Sequence, residues 1–267
     1  MDLGLAGRTV LVTGGSSGVG LATVRALLEE GAQVATCARD AARLEKATAQ
    51  LPYAERLLTG TCDVRDAEEV CRFTDRAADR FGGLHGLVNN AGASRMKRFA
   101  DTTGEDWRDE LELKFAGVLN PLHAALPALR ASAAAPEAPA ASVVNINAVL
   151  AKQPEPRLIT TSAARAGILN LSKSLSEELA PDGVRVNSVC LGLIDTGQWE
   201  RRYAASGSPL SYEEWQRELA DDRGIALGRL GSADEVAYAV LALLSPRASY
   251  ITGSSLDVGG GVGRALS

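Results

Sequence analysis

TGGSSGVG, residues 13–20, lies between an apolar run, RTVLVT, and a helical pattern over Val19 to Glu30. Glycines at positions 14, 18 and 20 permit a tight turn and a close approach of other groups to the backbone. A helix that begins here offers unpaired amide groups and the positive end of its dipole to a phosphate. Strand, glycine turn and helix in this order predict a pyrophosphate-binding turn for a dinucleotide.

Short apolar runs alternate with helical patterns along the rest of the chain. The runs read QVATCA, RLLTGTC, HGLVN, SVVNIN, VRVNSVC and SSLDV, and the helical patterns cover residues 41–50, 107–130, 158–179 and 233–244. Such alternation is typical of a parallel sheet covered by helices on both faces. We therefore predict one α/β domain over residues 1–267, a Rossmann-type doubly wound sheet of about seven parallel strands.

Two stretches interrupt this alternation. Residues 132–141, SAAAPEAPAA, are low in complexity and contain two prolines, which predicts an exposed loop insertion. Residues 195–228 are too long for an ordinary connection between a strand and a helix. They lie at the carboxyl edge of the predicted sheet, where a substrate lid is expected, and they contain four aromatic residues, Trp199, Tyr203, Tyr212 and Trp215.

Charge and hydropathy exclude several classes of partner. The net charge is −5 and the pI is near 5.3, so the chain lacks the basic character that binding to nucleic acid requires. No apolar run approaches the roughly 18 residues of a membrane span, and the first residues show no signal-peptide pattern. These observations predict no nucleic-acid partner, no membrane partner and a cytoplasmic location.

The cysteines and histidines give no sign of a metal site. The four cysteines show no CxxC spacing and are interpreted as reduced packing residues, and the two histidines lie 38 positions apart. These residues are Cys37, Cys62, Cys71, Cys190, His85 and His123. We predict neither a structural nor a catalytic metal.

The spacing TGxxxGxG resembles that of the short-chain dehydrogenase/reductase family. Further matches follow in order: CDV at 62–64, NNAG at 89–92, VRVNSV at 184–189 and ITGSSLDVGGG at 251–261. The resemblance covers almost the whole chain and implies a nicotinamide dinucleotide cofactor. The cofactor-binding residues that it implies are Gly14, Ser16, Ser17, Gly18, Val19, Gly20, Arg39, Asp63, Val64, Asn90, Ala91, Gly92, Arg165, Gly192, Ile194 and Thr196.

The end of the second strand predicts which dinucleotide binds. An acidic residue there accepts hydrogen bonds from the adenosine ribose and repels a 2′-phosphate. This chain has Ala38 followed by Arg39, and a guanidinium pairs bidentately with phosphate. The sequence therefore favours NADP(H) over NAD(H), the alternative being that Arg39 is a solvated residue at the start of a helix.

The resemblance fails at the catalytic residues. Family members carry a Ser on the fifth strand, a Tyr thirteen positions later, a Lys four positions after that, and an Asn on the preceding long helix. The corresponding residues here are Ala148, Thr161, Arg165 and Lys114. The chain is thus an atypical member in which every position of the tetrad is substituted.

Three of these replacements are candidate catalytic residues, namely Lys114, Thr161 and Arg165. Arginine stays protonated and so holds a ligand without relaying a proton, and a threonine hydroxyl is far less acidic than a phenol. A partly buried Lys114 beside Arg165 would have a lowered pKa and could act as a general acid. The alternative is an ion pair with Glu110 on a solvated helix face. The loop 147–157 offers three further candidates, Lys152, Gln153 and Glu155.

Three functions are compatible with this pattern. The first is an atypical oxidoreductase that transfers a hydride between NADP(H) and a small carbonyl or alcohol substrate. The second is a catalytically silent NADP(H)-binding sensor or partner subunit, and the third is a non-redox isomerase or lyase on the same scaffold. The resemblance also implies a homo-oligomer, a tetramer or dimer, although the small residues of the helix near Ala163 and Gly167 serve equally well for packing within one chain.

Overall fold

The computed structural model describes residues 2–135 and 141–263. The first half alternates strands and helices without interruption. Its elements are β1 (Thr9–Thr13), α1 (Gly18–Glu29), β2 (Gln33–Ala38), α2 (Ala41–Thr48), β3 (Leu57–Thr61), α3 (Ala67–Phe81), β4 (Gly86–Asn89) and α4 (Gly104–Ala134).

The second half completes the sheet and adds a helical insertion. Its elements are β5 (Ala141–Ala148), α5 (Ile159–Glu178), β6 (Val184–Leu191), β7 (Ile194–Asp195), α6 (Gly197–Ser206), α7 (Tyr212–Asp222), β8 (Gly231–Ser232), α8 (Ala233–Leu244) and β9 (Ser255–Val258). Seven strands form one sheet in the order β3-β2-β1-β4-β5-β6-β9, and every pairing is parallel. The predicted Rossmann-type sheet of seven parallel strands is confirmed.

The sheet separates two hydrophobic cores because alternate residues of a strand face opposite sides. On β1, Val10 and Val12 pack with α1 and α8, whereas Leu11 packs with residues of α3 and α4. All three β1 side chains are fully buried. Helices on both faces explain why the central strands β1, β2, β4, β5 and β6 are buried along nearly their whole length, whereas the edge strands β3 and β9 are partly exposed.

The structure corrects the sequence prediction at two places on this face. Helix α3 is absent from the predicted helical patterns because its apolar residues are few: it buries only one stripe, through Val70, Phe73 and Ala77. Helix α4 continues to Ala134, and β5 begins at Ala141, so the ends of the predicted 132–141 loop are regular structure. Alanines are strong helix formers, and this explains the extension. Residues 136–140 of that predicted loop lie outside the described residues.

The predicted lid, residues 195–228, contains two helices rather than a long loop. Helix α6 and helix α7 are joined by an aromatic cluster in which ring centroids lie 5.2 to 6.2 Å apart. Ser211 and Glu214 form a capping box that fixes the start of α7. A short parallel pair, β7 with β8, ties both ends of the segment together.

Three of the four cysteines are buried, but Cys71 on α3 is exposed, and its thiol donates to the Asp75 carboxylate at 3.6 Å. The interpretation of Cys71 as a packing residue is therefore wrong. The other three, Cys37, Cys62 and Cys190, are buried free thiols. Across residues 2–135 and 141–263, no helix combines the length and apolarity needed to cross a membrane.

Candidate cofactor and catalytic site

A cavity of about 940 Å³ lies at the carboxyl ends of β1, β2, β4, β5 and β6. This is the edge of a doubly wound sheet where ligands bind, because the connections at a reversal of strand order diverge and leave a crevice. Of the predicted cofactor residues, those that line the cavity are Gly14, Ser16, Ser17, Gly18, Val19, Arg39, Val64, Asn90, Ala91, Gly92, Arg165, Gly192, Ile194 and Thr196. Asp63 and Gly20 are not among the lining residues.

The glycine turn is shaped by close contacts with the neighbouring loop. Gly14 has a φ of +76°, and a Cβ there would stand 2.9 Å from the Cα of Ala91. A Cβ on Gly20 would stand 2.3 Å from the carbonyl oxygen of Gly14. Gly20 therefore allows close packing within the turn, on the side away from the cavity. Gly14 and Gly18 line the cavity, where a pyrophosphate could approach the backbone.

Asn90 fastens the β4 loop to the glycine turn. Its side-chain amide donates to the carbonyl oxygens of Thr13 at 2.9 Å and Gly14 at 3.2 Å. The Thr13 hydroxyl in turn accepts from the backbone amides of Asn90 and Ala91, at 3.0 and 3.1 Å. These reciprocal bonds hold both loops in one conformation, so the cavity floor is built before any ligand binds.

Two arginines occupy the adenosine end of the cavity. Arg39 follows β2, and Arg43 lies one helical turn later on α2, so both guanidiniums line the cavity. Neither forms an ion pair within the part of the chain that the structure describes. Sequence reasoning missed Arg43, although its spacing of four residues from Arg39 is the signal that would have identified it.

Asp63, the predicted adenine ligand, is bound to Arg65. Its carboxylate accepts from the Arg65 guanidinium at 3.0 Å and from the Arg65 backbone amide at 3.0 Å. These hydrogen bonds and the charge of Arg65 lower the pKa of Asp63. The neighbouring residues Cys62 and Val64 line the cavity instead, and the contact between Asp63 and adenine stays a prediction.

The tetrad positions of Lys114 and Thr161 form a buried ionic group. The Lys114 ammonium lies 3.2 Å from a Glu110 carboxylate oxygen, and that same oxygen accepts from the Thr161 hydroxyl at 2.8 Å. Lys114 and Glu110 are each 5% exposed and Thr161 is 1% exposed. The predicted ion pair with Glu110 is present, but its placement on a solvated face is wrong, because this face of α4 packs against α5.

Lys114 also donates to the carbonyl oxygen of Ala93. Burial, and then the nearby charge of Arg165, lower the pKa of Lys114 to about 8 despite the opposing effect of Glu110. Lys114 and Thr161 do not line the cavity. The ammonium is close to the cavity-lining residue Gly92, since a Cβ on Gly92 would stand 3.6 Å from the Lys114 nitrogen.

Arg165 and Ala148 do face the cavity. The Arg165 guanidinium donates to the carbonyl oxygen of Ile146 at 2.6 Å, while its buried Nε has no hydrogen-bond partner in the described structure. Burial lowers the pKa of Arg165. A partly desolvated guanidinium with an unused donor is ready to bind an oxygen atom of a ligand.

The loop 147–157 contributes one of its three predicted candidates to the cavity. Glu155 lines it and pairs with Arg223 at 2.6 Å. Lys152 pairs instead with Asp257 at 2.7 Å, and the backbone amide of Gln153 donates to Val149. Sequence reasoning missed Arg223, which is distant in sequence from every recognised motif and is brought here by the fold of the lid.

Sequence comparison places these features in a known family. The sequence model described as Enoyl-(Acyl carrier protein) reductase matches residues 14–263. L-fucose dehydrogenase of Bos taurus is 34% identical over 257 residues, which cover 96% of this chain and 89% of that protein. The chain belongs to the short-chain dehydrogenase/reductase family of oxidoreductases.

Solved structures show the same likeness. A short-chain oxidoreductase from Pseudomonas aeruginosa PAO1, described as containing an atypical catalytic center, is 46% identical with a TM-score of 0.92 for its apo form, covering 98% of this chain and 99% of that one. Its NADPH-bound form gives a TM-score of 0.89, with 97% and 98% coverage. L-sorbose reductase from Gluconobacter frateurii, in complex with NADPH and L-sorbose, is 28% identical with a TM-score of 0.92 over both whole chains.

Proposed function

We propose that this protein transfers a hydride between NADP(H) and a small carbonyl or alcohol substrate, with Lys114 as the proton donor or acceptor. The observation that carries the proposal is the buried Lys114, whose pKa of about 8 lets the ammonium lose a proton near neutral pH. Its nitrogen would lie 3.6 Å from a Cβ on Gly92, and Gly92 lines the cavity of about 940 Å³.

The residues at the cavity fit NADP(H). Gly14 and Gly18 line the cavity at the start of α1, where backbone amides can bind a pyrophosphate. Arg39 and Arg43 provide two guanidiniums without carboxylate partners in the described structure, which suits a 2′-phosphate. The binding of NADPH by two structural relatives supports the same choice.

When bound, the nicotinamide supplies or accepts the hydride, and this chain supplies the proton and the geometry. In the reductive direction the carbonyl oxygen gains a proton as its carbon gains the hydride. Arg165 would donate a hydrogen bond to the ribose or to the carbonyl oxygen. The Lys114 ammonium would supply the proton that this oxygen gains and become a neutral amine, and because Lys114 does not line the cavity, a water would have to carry the proton between them. Thr161 and Glu110 hold Lys114 in place, because one carboxylate oxygen contacts both.

One observation favours a second function, a catalytically silent NADP(H)-binding sensor or partner subunit. Lys114, Glu110, Thr161 and Ala93 satisfy one another, so the described structure aims no titratable proton donor from the tetrad positions directly into the cavity. This arrangement would leave the cofactor site complete while removing the chemistry. The two functions differ in one measurable property, which is turnover.

The test is a fluorescence titration with NADPH and NADH followed by a turnover screen on carbonyl substrates, using wild type, Arg39→Ala and Lys114→Met. We expect Arg39→Ala to weaken NADPH binding about 10- to 100-fold and NADH binding little, because only NADPH carries the extra phosphate. Lys114→Met should bind NADPH normally but turn over about 100-fold more slowly or worse, since a general acid contributes about 10² to 10⁴.

Other results would redirect the assignment. Equal losses of both cofactors in Arg39→Ala would remove its phosphate role. Tight NADPH binding by the wild type without turnover on any substrate would establish the silent binder. Full activity in Lys114→Met would exclude Lys114 as the acid.

A further inference from the structure

Two arginines of the lid meet a carboxylate at the cavity. Arg223, which follows α7, pairs with Glu155 at 2.6 Å, and both residues line the cavity. Arg202 of α6 lies over the ring of Trp199, with its guanidinium carbon 4.5 Å from the ring centroid, and also lines the cavity. Stacking on tryptophan restricts the Arg202 side chain while leaving its planar row of N–H donors available.

The two arginines of this cluster differ in their ion pairing. Arg202 forms no ion pair within residues 2–135 and 141–263, and the buried Nε of Arg223 has no hydrogen-bond partner there. Burial and the neighbouring Arg223 both lower the pKa of Arg202, while Glu155 acts in the opposite direction. Arg223 is paired with Glu155 at 2.6 Å and with the exposed Asp222 carboxylate at 3.7 Å. Arg202 is the guanidinium of this cluster that is partly desolvated without an ion pair in the described structure, and such a charge is unfavourable until an anion binds.

The cluster adjoins the substrate side of the cavity. The Glu155 backbone amide donates to the Ser162 hydroxyl at 3.2 Å, and Ser162 directly follows Thr161 in the first turn of α5. The cluster is also remote from the adenosine end. Arg39 follows β2, whereas Arg202 follows β6 and β7, and three strands separate β2 from β6 in the sheet. A 2′-phosphate held at Arg39 is therefore not the anion that Arg202 would bind.

We propose that Arg202 and Arg223 form an anion subsite that binds a carboxylate or phosphate group on the substrate, so that the substrate is an anionic carbonyl or alcohol compound. This inference rests on the proposed function for the chemistry at Arg165 and Lys114. The subsite fixes the charged end of the substrate under the lid, and the reacting carbon then lies toward α5. A guanidinium fork held flat against Trp199 binds either group bidentately.

The experiment measures binding of matched probes to the protein saturated with NADP⁺, by calorimetry, and turnover of the same probes with NADPH. The carboxylate pair is 4-oxopentanoate and its methyl ester, and the phosphate pair is dihydroxyacetone phosphate and dihydroxyacetone. Variants are Arg202→Gln and, as matched control, Arg217→Gln. Arg217 is an exposed arginine of α7 that pairs with Glu213 at 3.9 Å and does not line the cavity.

We expect the charged member of one pair to bind about 10- to 100-fold more tightly than its neutral partner, because charge-assisted hydrogen bonds are the strong ones. The pair with the larger difference identifies carboxylate or phosphate. Arg202→Gln should abolish the difference and raise KM for the charged probe with kcat unchanged, whereas Arg217→Gln should match the wild type. Binding of NADP⁺ should be equal in all three proteins.

Two outcomes would overturn the anion subsite. One is equal binding of charged and neutral probes by the wild type, even if neutral carbonyls are reduced. The other is a loss of NADP⁺ affinity in Arg202→Gln as large as the loss of probe affinity, which would make Arg202 a cofactor ligand. Charge-selective binding without turnover would support the anion subsite and contradict the proposed reductase activity. The two proposals can therefore be refuted independently.

Discussion

Burial and two neighbouring charges set the pKa of Lys114 and, under the proposed function, the pH range of reduction. Two effects lower the pKa of Lys114, desolvation and the charge of Arg165, and one effect, the Glu110 carboxylate 3.2 Å away, raises it. The net result is a pKa of about 8, so desolvation outweighs the ion pair. Below pH 8 most of Lys114 carries the proton that reduction consumes.

The pH dependence of reduction follows from this sign. With Lys114 as the acid, kcat/KM for carbonyl reduction should be constant below about pH 7 and fall as pH rises through about 8. In Glu110→Gln the amide keeps the shape but loses the charge that favours the ammonium. The fall should then begin about one pH unit or more lower.

The check is a pH–rate profile between pH 5 and 10 for wild type, Glu110→Gln and Glu112→Gln. Glu112 is an exposed residue of the same helix and serves as the control. A fall at the same pH in wild type and Glu110→Gln would show that Lys114 is not the titrating acid. A shift of equal size in Glu112→Gln would indicate a general effect of helix charge.

At this scale the sequence predicted the members of the site better than their arrangement. The motif spacing identified Lys114, Thr161 and Arg165 as the tetrad replacements, and the structure brings Lys114 and Thr161 onto one carboxylate oxygen. The spacing of Lys114 and Glu110 also predicted their pair. What spacing could not predict is burial of that pair, because burial depends on how α4 packs against α5, and no local pattern contains that contact.

At the scale of elements, the glycine turn illustrates what a motif can predict. Sequence order alone predicted a strand, a turn and a helix here, and the structure has β1, the turn and α1 in those places. Why a side chain is excluded at Gly14 and Gly20 depends on the β4 loop, because a Cβ at either position would contact Asn90 or Ala91 of that loop. Those contacts lie 70 to 77 residues away and follow only from the sheet order.

Gly20→Ala should therefore displace the glycine turn, because the added methyl group has no space. Its Cβ would meet the Gly14 carbonyl oxygen at 2.3 Å and the Asn90 side-chain nitrogen at 2.4 Å. We expect the free energy of unfolding to fall by about 1 to 3 kcal/mol, as for other overpacked sites. NADPH affinity should fall as well, because the displaced turn carries the amides of Gly14 and Gly18. Urea unfolding and cofactor titration measure both effects.

Gly104→Ala is the matched control for that substitution. Gly104 begins α4, and its nearest neighbouring atom would be 3.9 Å from an added Cβ, on the end of Arg108. Its free energy of unfolding should equal or slightly exceed that of the wild type. Equal free energies of unfolding for Gly20→Ala and Gly104→Ala would mean that the turn accommodates the methyl group without cost and that close packing does not require glycine at position 20.

For the whole molecule, the alternation of strand and helix patterns predicted the parallel sheet because the central strands are buried on both faces and read as apolar runs. The lid helices α6 and α7 were not predicted, since they bury few residues against the sheet and instead pack aromatic rings on one another. Tertiary aromatic contacts have no sequence period. The lid was found only as a long interruption of the alternation.

The exposed apolar residues suggest where the predicted self-association occurs. Gly167, one of the small residues considered for a helix interface, is used within the chain, since its Cβ would stand 2.8 Å from the Phe115 ring. Exposed apolar side chains lie instead near the last strand of the sheet: Leu256 on β9 is 43% exposed, and Tyr250 and Tyr238 are more exposed still. An edge strand bordered by apolar side chains favours pairing with another copy.

We therefore expect sedimentation and light scattering to show a tetramer or dimer of the 27.9 kDa chain. Leu256→Glu should reduce the size of the assembly, because a carboxylate at an apolar contact is desolvated without a partner. Leu227→Glu, which alters an exposed leucine near the lid, should not change it. A wild-type protein that is monomeric at every concentration would contradict the prediction. An unchanged assembly in Leu256→Glu would move the contact away from β9, toward the exposed Ala163 and Ala166 of α5.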